Sequence, residues 1–176
     1  MADDGFHEFV IAASPRLLGS ARLISRDWHT AEDLVQETLI RVCLRWSTIA
    51  DHGNATAYAY RTLVRLTRRS GRRLYLSRER PTGGHWELDQ VTSAMFRASD
   101  DSDGLSDVEA QLARLPSRQR QTIVLRYFAD LSVEMTAEVM QCSAGTVKSQ
   151  TAKGLAVLRE RLTTNSQLAP RTGPPR

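Results

Sequence analysis

Cysteine is nearly absent from this chain of 176 residues; it has two, Cys43 and Cys142. Two thiols cannot build the multi-bridge framework of a small secreted scaffold. Histidine is sparse as well. His7, His29, His52 and His85 stand apart, without metal-ligand spacing, so the sequence predicts no metal and no other cofactor. Aromatics make up only 6%, which favours helices packed through Leu, Val and Ala over a sheet sandwich. No apolar run approaches the roughly 18–20 residues that a membrane span needs. The opening MADDGFHEF is acidic and lacks the basic start and apolar stretch of a signal peptide. These absences exclude a membrane-inserted protein, a cystine scaffold and a zinc finger. They leave the expectation of a cytoplasmic, globular protein.

Charge, by contrast, is plentiful and patterned. The net +4 conceals three blocks. Residues 5–80 hold 13 arginines against 7 acids, and residues 81–109 hold one arginine against 7 acids. Residues 110–176 hold 8 arginines and 2 lysines against 4 acids. Two basic blocks around an acidic one suggest two polyanion-binding modules on a linker, although any single block can also be a solvated face.

Apolar periodicity predicts an all-α chain. Phe6 to Ile24 reads as a helix broken near Pro15. Thr30 is a candidate N-cap, with Asp33 three residues on. Ala31, Leu34, Val35, Thr38, Leu39, Val42, Cys43 and Trp46 then form one inward stripe, which makes Cys43 a small core residue. Residues 47–56 read as a loop. A third helix, from about Thr56 to Tyr75, has Ala59, Leu63 and Leu66 inside, and the stretch from Arg61 to Arg80 holds eight arginines and one acid. The expected organisation is a helical domain over residues 5–76 and a flexible acidic linker over 77–104, with a helical turn at Val91–Phe96. A second helical domain over 105–163 and a disordered tail over 164–176 follow.

Within the second domain, Leu105 to Leu115 reads as a short helix. Ser117 caps the next helix, whose inner face is Ile123, Val124, Tyr127 and Phe128. Ser132 caps a short helix with Val133, Ala137 and Met140, and Gln141-Cys142-Ser143 is a tight turn. A long helix with Val147, Thr151, Leu155 and Leu158 inside comes last. Short helix, turn and long helix is helix-turn-helix geometry, in which the second helix can enter a major groove. Ser149 and Lys153 then face outward, flanked by Lys148 and Gln150. Lys reaches phosphate or guanine, and Gln suits adenine. An ordinary helical hairpin with a polar face fits the same pattern. The arginine-rich third helix begins with Tyr58 and Tyr60, a combination that stacks unpaired bases and tracks a backbone; a core helix with a charged surface fits equally. Asp33, Gln36 and Glu37 face away from their helix's apolar stripe and can bind a basic partner, ligate a metal or be solvated.

At this point two segments become distinctive. AEDLVQETLIRVCLRW resembles region 2 of bacterial RNA polymerase sigma factors. LARLPSRQRQTIVLRYFADLS, followed by CSAGTVKSQTAKGLAVLRERL, resembles region 4. Nothing resembles regions 1 or 3, which points to the small extracytoplasmic-function group. TVKSQTAKGLAVLRE and AYAYRTLVRLTRR are most similar to its actinobacterial sigma-E-like branch.

The resemblance implies that the chain directs promoter-specific transcription initiation without being an enzyme. It implies core RNA polymerase and promoter DNA as partners, the −35 element as duplex and the −10 element as single strand. It also leaves room for an anti-sigma factor. Asp33, Gln36 and Glu37 fall where sigma factors dock on polymerase. Tyr58 falls at the aromatic melting position, and Arg61, Arg65, Arg68, Arg69, Arg72 and Arg73 on the −10-facing segment. Arg118 and Arg120 fall near −35 backbone contacts, and Lys148, Ser149, Gln150 and Lys153 on the −35 recognition helix. Three positions depart from the pattern. Arg65 stands where many relatives carry Asn, Thr136 where Ile or Leu is usual, and Gln141 where Gly is frequent. The rival reading is a response-regulator-type helix-turn-helix regulator, which needs a receiver domain; no alternation of strands and helices is present to supply one.

Overall fold

Leu17, Leu18, Ala21 and Ile24 recur at helical spacing, and all four are buried on one face of α1 (Asp3–Ser25). The computed structural model of the chain describes residues 3–49, 54–76 and 103–168. Helix α1 passes through Pro15, where the sequence suggested a break. An interior proline removes one hydrogen bond and costs about 3 kcal/mol or more. Phe6, Phe9, Val10 and Ala13 on one side and Leu17, Leu18 and Ala21 on the other pack into the same core, so tertiary contacts carry the helix through the defect.

Asp27, rather than Thr30, caps α2 (Trp28–Cys43). Its Oδ2 accepts from the Thr30 N–H at 2.8 Å and from the Thr30 hydroxyl at 2.6 Å. Arg26 makes the preceding reversal at φ 68°. Ala31, Leu34, Val35, Thr38, Leu39 and Val42 are buried as the periodicity requires. Cys43 does not join them; it is exposed, because the helix ends there and the stripe stops at Val42. The stretch read as a loop contains a short helix, α3 (Trp46–Ile49). Trp46 is detached from the α2 stripe and packs against Phe6 and Phe9, at centroid distances of 5.4 and 5.3 Å. Helix α4 (Ala55–Leu76) closes this half, with Ala59, Tyr60, Leu63, Val64 and Leu66 inside.

The second half contains α5 (Asp103–Ala113), α6 (Ser117–Ile123), α7 (Val133–Met140) and α8 (Ala144–Leu168). Pro116, not Ser117, stands at the α6 cap, and no side chain caps that end. After Ile123 the chain takes a wider, π-type turn over Val124–Phe128, in which the Ala129 N–H donates to the Val124 carbonyl five residues back at 2.9 Å. The extra residue rotates the inner face. Leu125, Ala129 and Leu131 go inside, while Tyr127 and Phe128, which a 3.6 period puts inward, are 60% and 41% exposed. Helix α8 continues to Leu168, past the point where disorder was expected. Residues 77–102, which include Val91–Phe96, and residues 169–176 lie outside the described residues.

The two helical domains share a core. Leu125, Ala129, Leu131, Val139 and Met140 are buried in one cluster with Leu17, Leu34, Leu63 and Val64. A smaller cluster of Leu112, Leu115, Ile123 and Leu158 belongs to the second half, with Leu23 of α1 packed against it.

Helix α7 ends in a Schellman turn. The Cys142 N–H donates to the Ala137 carbonyl at 3.0 Å and the Gln141 N–H to the Glu138 carbonyl at 3.2 Å. Gln141 therefore sits at φ 54°, ψ 54°, a left-handed conformation that favours glycine. Nearby, Thr136 is fully buried and its hydroxyl has no partner among the described residues. These two of the three departures from the sigma pattern are local costs of about 1 kcal/mol each. Gln141→Gly and Thr136→Val are each expected to raise the melting temperature by about 2–4 °C. Thermal unfolding followed by circular dichroism checks this; a lower melting temperature in either variant would show that the native side chain makes a compensating contact.

Candidate functional site

Three surfaces collect the charged residues that the sequence singled out. The first lies on α2. Asp33 and Gln36 are exposed, and half-buried Glu37 bonds Arg41 at 2.7 Å. Steps of three and four residues continue this face to Ile40 and Leu44, which are 55% and 79% exposed. Sequence reasoning passed over both. Their signal was an apolar side chain on the polar side of an amphipathic helix, and together they make an acidic rim beside an apolar strip. No three His, Cys, Asp or Glu side chains among the described residues converge as metal ligands.

The second surface is α4. Tyr58 is half-buried against the core, and Tyr60 is buried, which pushes its phenol pKa up. Arg65, Arg68 and Arg69 are exposed. Arg61 is half-buried and paired with Glu138 of α7. Arg68 Nη2 also reaches α7, donating to the Met140 carbonyl at 3.4 Å. The side chains of Arg72 and Arg73 lie outside the described residues.

The third surface is the α7–α8 hairpin. Ser132 Oγ accepts from the Met135 N–H at 3.0 Å, and Ser143 Oγ from the Thr146 N–H at 3.1 Å, so both helices start at capped ends. Val147, Gly154 and Leu158 seat α8, while Lys148, Ser149 and Lys153 are exposed and Gln150 is half-buried at their flank. A Cβ at Gly154 would stand 2.5 Å from Ile123 Cδ1, so glycine permits the close approach of α8 to α6. Arg118 is exposed, but Arg120 is only 7% exposed. Its Nη1 donates to the carbonyls of Ala113 and Leu115, each at 3.2 Å. Burial, and then the neighbouring charge of Arg26, lower its pKa. Arg120 is therefore a clamp on the α5–α6 turn, and its guanidinium is not on the surface with Arg118. The sequence pattern around it does not distinguish an arginine that faces phosphate from one that faces carbonyls.

Residues 9–75 match the family model of sigma-70 region 2, and residues 105–158 match that of sigma-70 region 4. The chain belongs to the sigma-70 family of RNA polymerase sigma factors. It is 37% identical over 161 residues to an RNA polymerase sigma-E factor of Streptomyces avermitilis, covering 89% of this chain and 84% of that one. It is 38% identical over 157 residues to the sigma-E factor of Streptomyces coelicolor, covering 89% and 85%. Among solved structures it is similar to the sigma factor RpoE of Bartonella quintana, crystallised with the anti-sigma factor NepR. That likeness has a TM-score of 0.70 at 25% identity, over 90% of this chain and 96% of that one. These relatives support the extracytoplasmic-function, sigma-E-like branch. As a sigma factor the chain binds core polymerase and promoter DNA and directs transcription initiation, in a family that is not one of enzymes. The match runs through both halves, so the response-regulator reading is not favoured. No helix among the described residues is long and apolar enough to cross a membrane.

Proposed function

We propose that the three surfaces divide the work of initiation. The α2 face with Asp33, Gln36 and Glu37 docks on core polymerase. Tyr58 with Arg61, Arg65, Arg68, Arg69, Arg72 and Arg73 of α4 takes the −10 element as single strand, stacking a base and tracking its phosphates. Lys148, Ser149, Gln150 and Lys153 read the −35 duplex in the major groove, with Arg118 on the backbone. The units that do this are residues 5–76 and 105–163. The protein acts in the cytoplasm, where polymerase and chromosome meet. A small anti-sigma factor is its natural antagonist, a reading supported by the similar sigma factor crystallised with one. The observation that supports the assignment most is the capped α7–α8 hairpin, whose exposed Lys148, Ser149 and Lys153 face away from a buried Val147.

Run-off transcription with core polymerase on a genomic library tests this reading. The wild type should select promoters with defined −35 and −10 sequences. Lys148→Ala or Gln150→Ala should shift the −35 preference about tenfold, because a good base contact contributes about 1–3 kcal/mol of discrimination. Core binding should change little. Equal use of promoters with scrambled −35 elements by wild type and variants would overturn the recognition-helix assignment.

A further inference from the structure

Two glycines lie along α8, and the fold explains one of them. A Cβ at Gly154 would run into Ile123, so the packing of α8 on α6 requires its absence. Gly145 meets no such neighbour. A Cβ built there finds only Ser143 Oγ, at 3.7 Å, an ordinary contact. Gly145 lies within α8, so no left-handed backbone calls for glycine either. A helical glycine also costs stability, because the unfolded chain has more freedom there than at alanine. The fold by itself therefore favours alanine at position 145.

The open side of Gly145 shows what the missing side chain leaves room for. On a helix, residues three and four apart lie along one side. From Gly145 these are Lys148 and Ser149, with Lys153 four residues beyond Ser149, and all three are exposed. Val147, on the opposite side, is buried. Gly145 is itself exposed, at the leading end of this row. The Ser143 cap fixes the turn around it. Ser143 Oγ accepts from the Thr146 N–H at 3.1 Å and lies 2.9 Å from the Thr146 hydroxyl. The backbone at Gly145 is thus both bare and held in a set place.

We infer that Gly145 is a positioning residue for −35 recognition: it lets the first turn of α8 lie directly against the duplex, and so sets how deeply Lys148, Ser149 and Gln150 enter the major groove. This rests on the −35 role proposed above for α8. Recognition helices present their N-terminal residues to base edges, and glycine is the residue that lets a backbone come close to a ligand. A methyl group at position 145 would hold that end of the helix off the duplex. All three base contacts would lengthen together, and hydrogen bonds do not survive such stretching. The two effects of alanine are opposed in sign: the free protein gains and the DNA complex loses.

Gly145→Ala and Gly145→Leu, two good helix formers of different bulk, test this in the full chain and in its holoenzyme. Circular dichroism should show free Gly145→Ala melting about 1–4 °C above the wild type. The binding probe is a duplex carrying the −35 and −10 elements of a promoter recovered by the run-off selection, with a copy scrambled at −35 as reference. Gly145→Ala holoenzyme should bind the intact duplex about three- to thirtyfold more weakly than wild type. Gly145→Leu should bind it more weakly still, and all three should bind the scrambled copy alike. Single-base changes should cost Gly145→Ala less than wild type at several −35 positions, where Gln150→Ala alters one. Pull-down of core polymerase should be unchanged. Wild-type affinity in Gly145→Ala overturns the inference and leaves the glycine a weak point of α8. A melting temperature below that of the wild type in Gly145→Ala also overturns it, by making glycine a need of the fold. Lys148→Ala and Gln150→Ala separate this from the functional reading. If neither alters −35 preference, the recognition-helix assignment falls and this inference with it. If both do while Gly145→Ala binds as wild type, this inference alone falls.

Discussion

Asp33→Arg with Glu37→Arg should lower affinity for core polymerase at least about a hundredfold while the helical circular-dichroism spectrum stays that of the wild type. Both positions lie outside the buried stripe of α2, Asp33 exposed and Glu37 half-buried, so reversing them removes little packing. Glu37 loses its bond to Arg41, an i,i+4 surface pair that contributes about 0.3–0.5 kcal/mol. The interface loses far more. A charge that matches a partner's opposite charge and becomes repulsive changes binding by about 2–5 kcal/mol. The exposed Ile40 and Leu44 extend the same face, so Leu44→Ser should weaken docking without any charge change. Pull-down or surface-immobilised core measures both. Unchanged affinity in the charge-reversal variant would remove α2 from the polymerase interface.

The second large effect is expected at Tyr58. Unpairing a promoter needs a surface that favours unstacked bases, and base–aromatic stacking contributes about 1–3 kcal/mol per base. Tyr58→Ala should therefore slow open-complex formation by about five- to a hundredfold and leave −35 binding nearly intact. The defect should vanish on a template with a pre-melted −10 bubble, where unpairing has already occurred. Tyr58 is half-buried, so part of any loss is stability, and the bubble template separates the two. Tyr60 is the internal comparison. It is 3% exposed, and Tyr60→Ala should unfold the first half rather than spare the bubble template. A Tyr58→Ala defect of equal size on duplex and bubble would make Tyr58 a packing residue or a duplex contact.

Much of this architecture was readable from the period of its apolar residues. The α2 stripe from Ala31 to Val42 and the Ser132 cap of the helix-turn-helix follow from local rules, and the structure bears them out. The misreadings share a cause. Tyr127 and Phe128 were assigned inward by a 3.6 period, but one π-type turn shifts everything after Val124. Arg120 was assigned to DNA by its place in a motif, while its environment is set by carbonyls of the α5–α6 turn. Pro15 was read as a break because the packing that overrides it comes from other helices. The seam between the halves was invisible for the same reason. Glu138 and Arg61 are 77 residues apart, and no local pattern announces such a pair.

Gly154 gives the molecule an unusual genetics. It is buried and sets how closely α8 lies on Ile123, and α8 carries Lys148, Gln150 and Lys153. A side chain there first turns the Ile123 δ-methyl aside; only a substituent too large for that rotation to relieve tilts or lifts the helix, and then every residue proposed to read the −35 element moves with it. A selection for altered promoter usage should therefore return substitutions at Gly154, and compensating smaller residues at Ile123, alongside changes in the residues that face DNA. Such alleles would shift all −35 positions together, whereas a change at Gln150 would alter one. The breadth of the altered preference would then reveal, from sequencing alone, whether a mutation lies in the reading face or beneath it.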